Sequence, residues 1–278
     1  MSYSVVVDSC CDLTRAMRAQ GHFLVVPLTI HVGEQSFVDD EQLRSSKLLA
    51  AMKECPEAPH TSCPSPADYL DAFESADGDI YVVTLSALLS GSHNAARQAA
   101  RLFLEEHPQR NIHVFNSCSA SAGEVLLALK LSELAQSGLS FPQVVAQADQ
   151  AITEMNTLFI LENLDNLKKN GRLTKVQALL TGALRIKLLM GSTPEGEICK
   201  RGQALSVRQG LTKLAEIMAA DDVHRGKVLC IAHCNCPQRA EALRMLALKY
   251  CEFSKIVLCH TRGISTVYAN DGGIVAAY

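Results

Sequence analysis

The chain has 278 residues, 48% of them hydrophobic and 20% charged, enough to bury a core as one large domain or two ordinary ones. The net charge of −3, with both signs mixed along the chain, argues against a nucleic-acid partner and against attraction to anionic membrane surfaces. No apolar run reaches the roughly 18 residues that a transmembrane helix needs, and Met1-Ser2-Tyr3-Ser4 carries no signal-peptide pattern, so a cytoplasmic protein without integral membrane association is expected.

Taken in chain order, Ser4 to Asp8 is an apolar run that reads as a buried strand with a loop, Ser9-Cys10-Cys11, at its carboxyl end. Asp12 is expected to cap a helix that Gly21 closes. Phe23 to Val32 reads as one strand, Ser46 to Cys55 as a helix, and the four-proline stretch Pro56 to Pro66 as a loop. Ser65 and Pro66 open a helix towards Ala76. Asp79 to Leu85 is a strand, about His93 to Glu106 a helix, Asn111 to Phe115 a strand, and Ala120 to Gln136 and Phe141 to Met155 two helices.

The second half reads differently. Thr157 to Leu161 is a strand, Leu164 to Asn170 a helix closed by Gly171, and Thr174 caps a helix from Lys175 to about Leu184. Arg185 to Ser192 and Ile198 to Arg201 flank a hairpin turn at Pro194 to Glu197. Ser206 to Ala219 is helical. Strand, helix and strand follow at Val228 to His233, Pro237 to Tyr250 and Lys255 to His260. Ser265 to Tyr268 and Gly273 to Ala277 are expected as short closing strands. The fold class is therefore α/β with two domains. Residues 1–155 form a parallel sheet flanked by helices, and residues 156–278 an α+β domain with a mixed or antiparallel sheet.

The eleven cysteines are odd in number and lack the spacing of a disulfide framework. Cys118, Cys230 and Cys259 sit in apolar runs, as free buried thiols of a reducing cytosol would. Cys234-Asn235-Cys236 has the wrong spacing for a redox or zinc motif, and the adjacent Cys10 and Cys11 cannot both chelate in ordinary geometry. No metal and no cofactor are expected.

Three segments could bind a ligand. Ser86 to Ser92 lies between a strand end and a helix start, where unpaired amides, the helix dipole and the hydroxyls of Ser90 and Ser92 favour an anion, while Gly91 permits close approach. Ser90 or Ser92 could equally be a simple helix cap. Thr61 to Pro66 is a proline-stiffened loop presenting Thr61 and Ser62, or only a polar connection. Arg172 lies just past a helix C-terminus, free to contact a ligand or partner, or to stay in solvent. His60 and His93 flank the first two segments, so Ser90 or Cys63 could be an activated nucleophile; an enzyme of acyl or phosphoryl transfer is the alternative reading. His113 and His233 read as core residues, and Asp39-Asp40 and Asp221-Asp222 as surface turns.

Five segments in order resemble the DegV family. Val7-Asp8-Ser9-Cys10-Cys11-Asp12-Leu13 is similar to its opening strand and loop. Thr61-Ser62-Cys63-Pro64-Ser65-Pro66 resembles its Thr-Ser-Gln-Pro-Ser-Pro, and Ser86 to Ser92 its Ser-Ser-Gly-Leu-Ser-Gly-Thr. Asn116 to Ser121 and Leu164 to Leu180 resemble two further family segments. The resemblance spans nearly the whole chain. It implies a carrier without catalysis of its own, holding a long-chain fatty acid such as palmitate or oleate between two domains. Thr61 and Ser90 would hold the carboxylate, Ser62, Gly91 and Ser92 would support them, and Arg172 would serve exchange with a fatty acid kinase. Where the family often has Thr-His-Thr-Gly, this chain has Thr266-Val267-Tyr268-Ala269, and Cys63 stands in place of Gln.

Overall fold

The computed structural model describes residues 2–174, 176 and 186–278. The helix expected between Lys175 and Leu184 falls, Val176 apart, outside the described residues, as does Arg185.

Strands β1 (Tyr3–Asp8), β2 (Phe23–Val26), β6 (Asp79–Thr84) and β7 (Ile112–Asn116) form a parallel sheet in the order β2-β1-β6-β7. The two-residue period of β1 directs Val6 to one face and Val5 and Val7 to the other. Val6, Ile80 and Val82 pack against helices α3 (Pro66–Glu74) and α4 (Ser92–Glu106). Val5, Val7 and Val83 pack against α5 (Ala122–Gln136) and α6 (Phe141–Thr153), where the Phe141 and Tyr81 rings stack at 5.2 Å.

The second sheet has six strands, in the order β10-β9-β8-β13-β11-β12. They are β8 (Thr157–Ile160), β9 (Lys187–Ser192), β10 (Ile198–Ala204), β11 (Val228–His233), β12 (Lys255–His260) and β13 (Ile274–Ala277). Only β11 and β12 run parallel, so the sheet is mixed. Cys230 and Ala232 face α5, whereas Leu229 and Ile231 face α8 (Val207–Ala220) and α9 (Pro237–Tyr250). Helix α5 thus packs on both sheets, which is why its apolar residues lie all round it rather than along one stripe.

Several expectations need correction. The single strand over Phe23 to Val32 is two, β2 and β3 (Thr29–Val32), because Pro27 has no N–H to continue the ladder. The proline-rich loop contains a strand, β5 (His60–Ser62), which joins β3 and β4 (Gln35–Val38) in a small antiparallel sheet. Ser265 to Tyr268 lies in a helix, α10 (Gly263–Ala269), despite its β-branched residues. The buried Asp39 carboxylate makes that helix possible by accepting from the N–H groups of Gly263 at 2.9 Å and Ile264 at 2.8 Å. Asp39 is therefore no surface turn. Asp221 is half-buried and accepts from Asn156 Nδ2 at 2.7 Å. Asp12 caps no helix: Thr14 caps α1 (Arg15–Arg18), and Asp12 is buried, accepting from Ser121 Oγ and the Arg262 N–H, both at 2.6 Å. Ser65 does cap α3, with Asp68 completing a capping box, and α2 (Ser45–Glu54) and α7 (Asp165–Lys169) lie where expected.

Candidate functional site

The carboxyl ends of the parallel sheet and one face of the mixed sheet enclose a cavity with about 110 Å³ of water-accessible space. A single water needs roughly 10–15 Å³, so the space is well beyond a packing defect. Its walls are mostly apolar, with Leu28, Leu85, Leu89, Phe159, Leu161 and Ile264 among them. The tip of the β9–β10 hairpin helps close it. Gly196, at φ +91°, approaches so closely that an added Cβ would lie 2.4 Å from Ser86 Oγ, which itself donates to the Gly196 carbonyl at 2.8 Å.

One polar region of the cavity wall is built around Thr61, Tyr268, Arg172 and Ser90. In the β3–β5 pairing Thr61 lies opposite the buried Ile30 and so points inward. The Thr61 and Tyr268 hydroxyls share a 2.7 Å hydrogen bond. The guanidinium of Arg172 lies 5.6 Å from the centre of the Tyr268 ring and donates from Nε to the Leu89 carbonyl at 3.2 Å and from Nη1 to the Asn170 carbonyl at 2.8 Å. Ser90 also lines the cavity, its hydroxyl accepting from the Ser92 N–H at 3.2 Å. Thr61, Ser90 and Arg172, from three distant segments, thus meet at one cavity. Burial pushes the Tyr268 hydroxyl above the usual tyrosine range, partly offset by its bond to Thr61 and by the Arg172 charge, so it is a neutral donor.

The supporting neighbours are placed differently. Ser62 points outward, within 3.2 Å of His31 Nε2. Ser92 is fully buried, donating to Asp8 at 2.6 Å and sharing a 2.6 Å bond with Tyr69 Oη. Gly91 precedes α4 and passes close to the exposed Cys63. None of the three lines the cavity. Among the described residues no hydrogen bond joins His60 or His93 to Ser90 or Cys63; His93 Nδ1 pairs instead with Thr84 Oγ1 at 3.2 Å. His113 is half-buried against Phe115, and His233 is buried beside His260. Glu74, Glu106 and His107 gather with metal-like spacing on the surface, at the far end of α4 from Ser90.

Residues 2–278 match the family model described as "Uncharacterised protein, DegV family". The chain belongs to the DegV family. A DegV domain-containing protein of Streptococcus gordonii is 35% identical over 280 residues, covering 100% of this chain and 99% of the relative. The crystal structure of a DegV family protein from Ruminococcus gnavus, refined with vaccenic acid, is 45% identical with a TM-score of 0.97, covering 100% of both chains. The Fatty Acid Kinase (Fak) B3 protein of Streptococcus pneumoniae, loaded with linoleic acid, is 33% identical with a TM-score of 0.90, covering 100% of this chain and 99% of that one.

Among the cavity-lining residues of this DegV chain that the sequence did not single out are Tyr268, Ser265 and Cys118. Tyr268 and Ser265 were hidden by the strand reading of α10. Cys118 adopts φ +50° and Ser121 φ +56°, and an outlying backbone of that kind carries no sequence signal outside glycine and asparagine. No described helix of the DegV chain is long and apolar enough to cross a membrane.

Proposed function

We propose that this protein binds one long-chain fatty acid, with the chain in the apolar cavity and the carboxylate at Thr61, Ser90 and Tyr268. The observation that carries the reading is the juxtaposition itself: a largely apolar cavity carries in its wall the hydroxyl pair Thr61–Tyr268 beside the Arg172 guanidinium. Each buried methylene contributes about 0.8 kcal/mol, so a chain of about 14 gains on the order of 10 kcal/mol before ordering costs. Hydroxyl donors then suffice to orient the carboxylate. The fatty acids in the Ruminococcus gnavus and Streptococcus pneumoniae structures support the same reading.

The protein acts as a carrier, not a catalyst, and works within the cytoplasm. Ser90 has a backbone N–H for a partner where an activated nucleophile would have a base. Arg172 is held against the Ser86–Ser92 loop beside the head-group site, and it would serve exchange with a fatty acid kinase. The chain divides near residue 155 into two units, with the fatty acid between them. Calorimetric titration of delipidated protein tests the reading. Oleate is expected to bind tightly and methyl oleate, which lacks the anion, much more weakly; equal binding of both would remove the head-group role.

A further inference from the structure

Glu124, in the first turn of α5, is completely buried, and neither of its carboxyl oxygens has a hydrogen-bond partner of ordinary geometry among the described residues. Its polar surroundings are Asp8, Asp12 and the Cys10 thiol. Asp8 is just as buried but differently served. It accepts from the N–H of Cys10 at 3.1 Å, the N–H of Leu85 at 2.9 Å and the hydroxyl of Ser92 at 2.6 Å.

Two bare carboxylates this deeply buried cannot both keep their charge side by side. Three donors aimed at Asp8 favour its anion. Glu124 faces only the weak S–H donor of Cys10, so the proton belongs to it. We propose that Glu124 is a neutral carboxylic acid at physiological pH, that its O–H is donated to Asp8, and that it is thereby a positioning residue for the polar region of the cavity around Ser90. Burial first, and then the Asp8 charge, push Glu124 well above the usual carboxylate range; Asp12 adds to this, and the contact with Cys10 opposes it. Asp8 is also raised by burial, against the pull of Ser92, Leu85, Glu124 and Cys10.

Asp8 is the link to the ligand site. Leu85 and Ser92 bracket the loop that carries Ser90, and Cys10 and Leu85 line the cavity. Because Ser92 spends its proton on Asp8, Tyr69 must donate to Ser92, which fixes α3 to the same chain of bonds. The order runs from Tyr69 to Ser92 to Asp8, with Glu124 donating from the other side. A glutamine at position 124 would supply the same donor. A methionine would fill the volume and supply none.

The experiment has two arms. In the first, carbon-13 carboxyl resonances of glutamate-labelled protein are followed by NMR through a pH titration, with Glu124 assigned by its loss in Glu124→Gln. The expected Glu124 signal stays at the protonated position across neutral pH; a signal that ionises below neutrality overturns the proposal. The second arm rests on the fatty-acid reading and measures oleate affinity. Glu124→Gln is expected to bind like the parent and Glu124→Met about tenfold more weakly, the effect of depriving a buried charge of one donor. Parent-like binding by folded Glu124→Met overturns the positioning role. Should that variant not fold, Ser92→Ala removes another donor from the same carboxylate and is expected to weaken oleate similarly; unchanged binding there is equally contrary. The first arm stands whether or not the protein binds fatty acid, so the two failures are distinguishable.

Discussion

Thr61 and Tyr268 lie 207 positions apart in sequence and share a 2.7 Å hydrogen bond in the wall of the cavity. Two hydroxyls joined by one bond leave a second O–H free to donate, and an incoming carboxylate would accept a hydrogen bond from it. Tyr268→Phe keeps the ring beneath Arg172 and removes the hydroxyl. Its oleate dissociation constant is expected to rise about tenfold, and Thr61→Ala to do the same, as for loss of a charge-assisted bond. Calorimetry or a displacement assay measures both, and parent-like affinity in both would exclude the pair from the head-group site.

Ser90 and Ser62 offer a sharper contrast. Both are serines in hydroxyl-rich segments, but only Ser90 lines the cavity, while Ser62 faces His31. Ser90→Ala should weaken oleate binding several-fold, and Ser62→Ala should leave it unchanged. The reverse order in the same assay would place the carboxylate outside the cavity.

The cysteines give a footprint of occupancy. Cys63 is exposed beside Gly91, Cys118 is half-buried in the cavity wall, and Cys10 is a buried cavity thiol whose pKa burial raises well above normal. Mass-spectrometric mapping after iodoacetamide should show Cys63 modified first, whether or not oleate is added. Cys118 should be modified slowly without lipid and be protected with it. Protection of Cys63 alone would contradict the placement of the acyl chain.

How much was legible beforehand follows from what each feature depends on. The parallel sheet was visible because Val5, Val6 and Val7 are buried on both faces and give a continuous apolar run. Local motifs left Thr61, Ser90 and Arg172 open to blander readings, and the DegV resemblance of those motifs singled them out; the structure gathers all three. Helix α10 was not legible, because Ile264, Thr266 and Val267 favour a strand locally, while its cap, Asp39, lies 224 positions before Gly263. Ser62 and Thr61 looked equivalent until the pleat of β5 separated them, and the pairing partner, β3, is remote in sequence.

Acidity should act through buried Asp12. Burial raises its pKa from 3.8 to about 7, although Ser121 and the Arg262 N–H pull it down. The folded chain therefore holds a proton that the unfolded chain has lost. The associated stability is full below 3.8 and is lost as pH rises towards about 7. His233 works in the opposite sense. Burial, then His260, lower it from 6.5 to about 4, so its contribution is present above 6.5 and lost as pH falls towards about 4. Subtracting the profile of Asp12→Asn from that of the parent isolates the first effect. Urea unfolding at a series of pH values should show the parent's relative stability falling between about 4 and 7. A difference that is flat or rises over that interval would show Asp12 ionised throughout.

The most direct test of the account is the identity of what the protein carries. Protein purified without added lipid is denatured and its organic extract analysed by mass spectrometry. A long-chain fatty acid, close to one per chain, is the predicted result. An extract free of fatty acid, from protein that also takes up neither palmitate nor oleate when these are supplied, would contradict it.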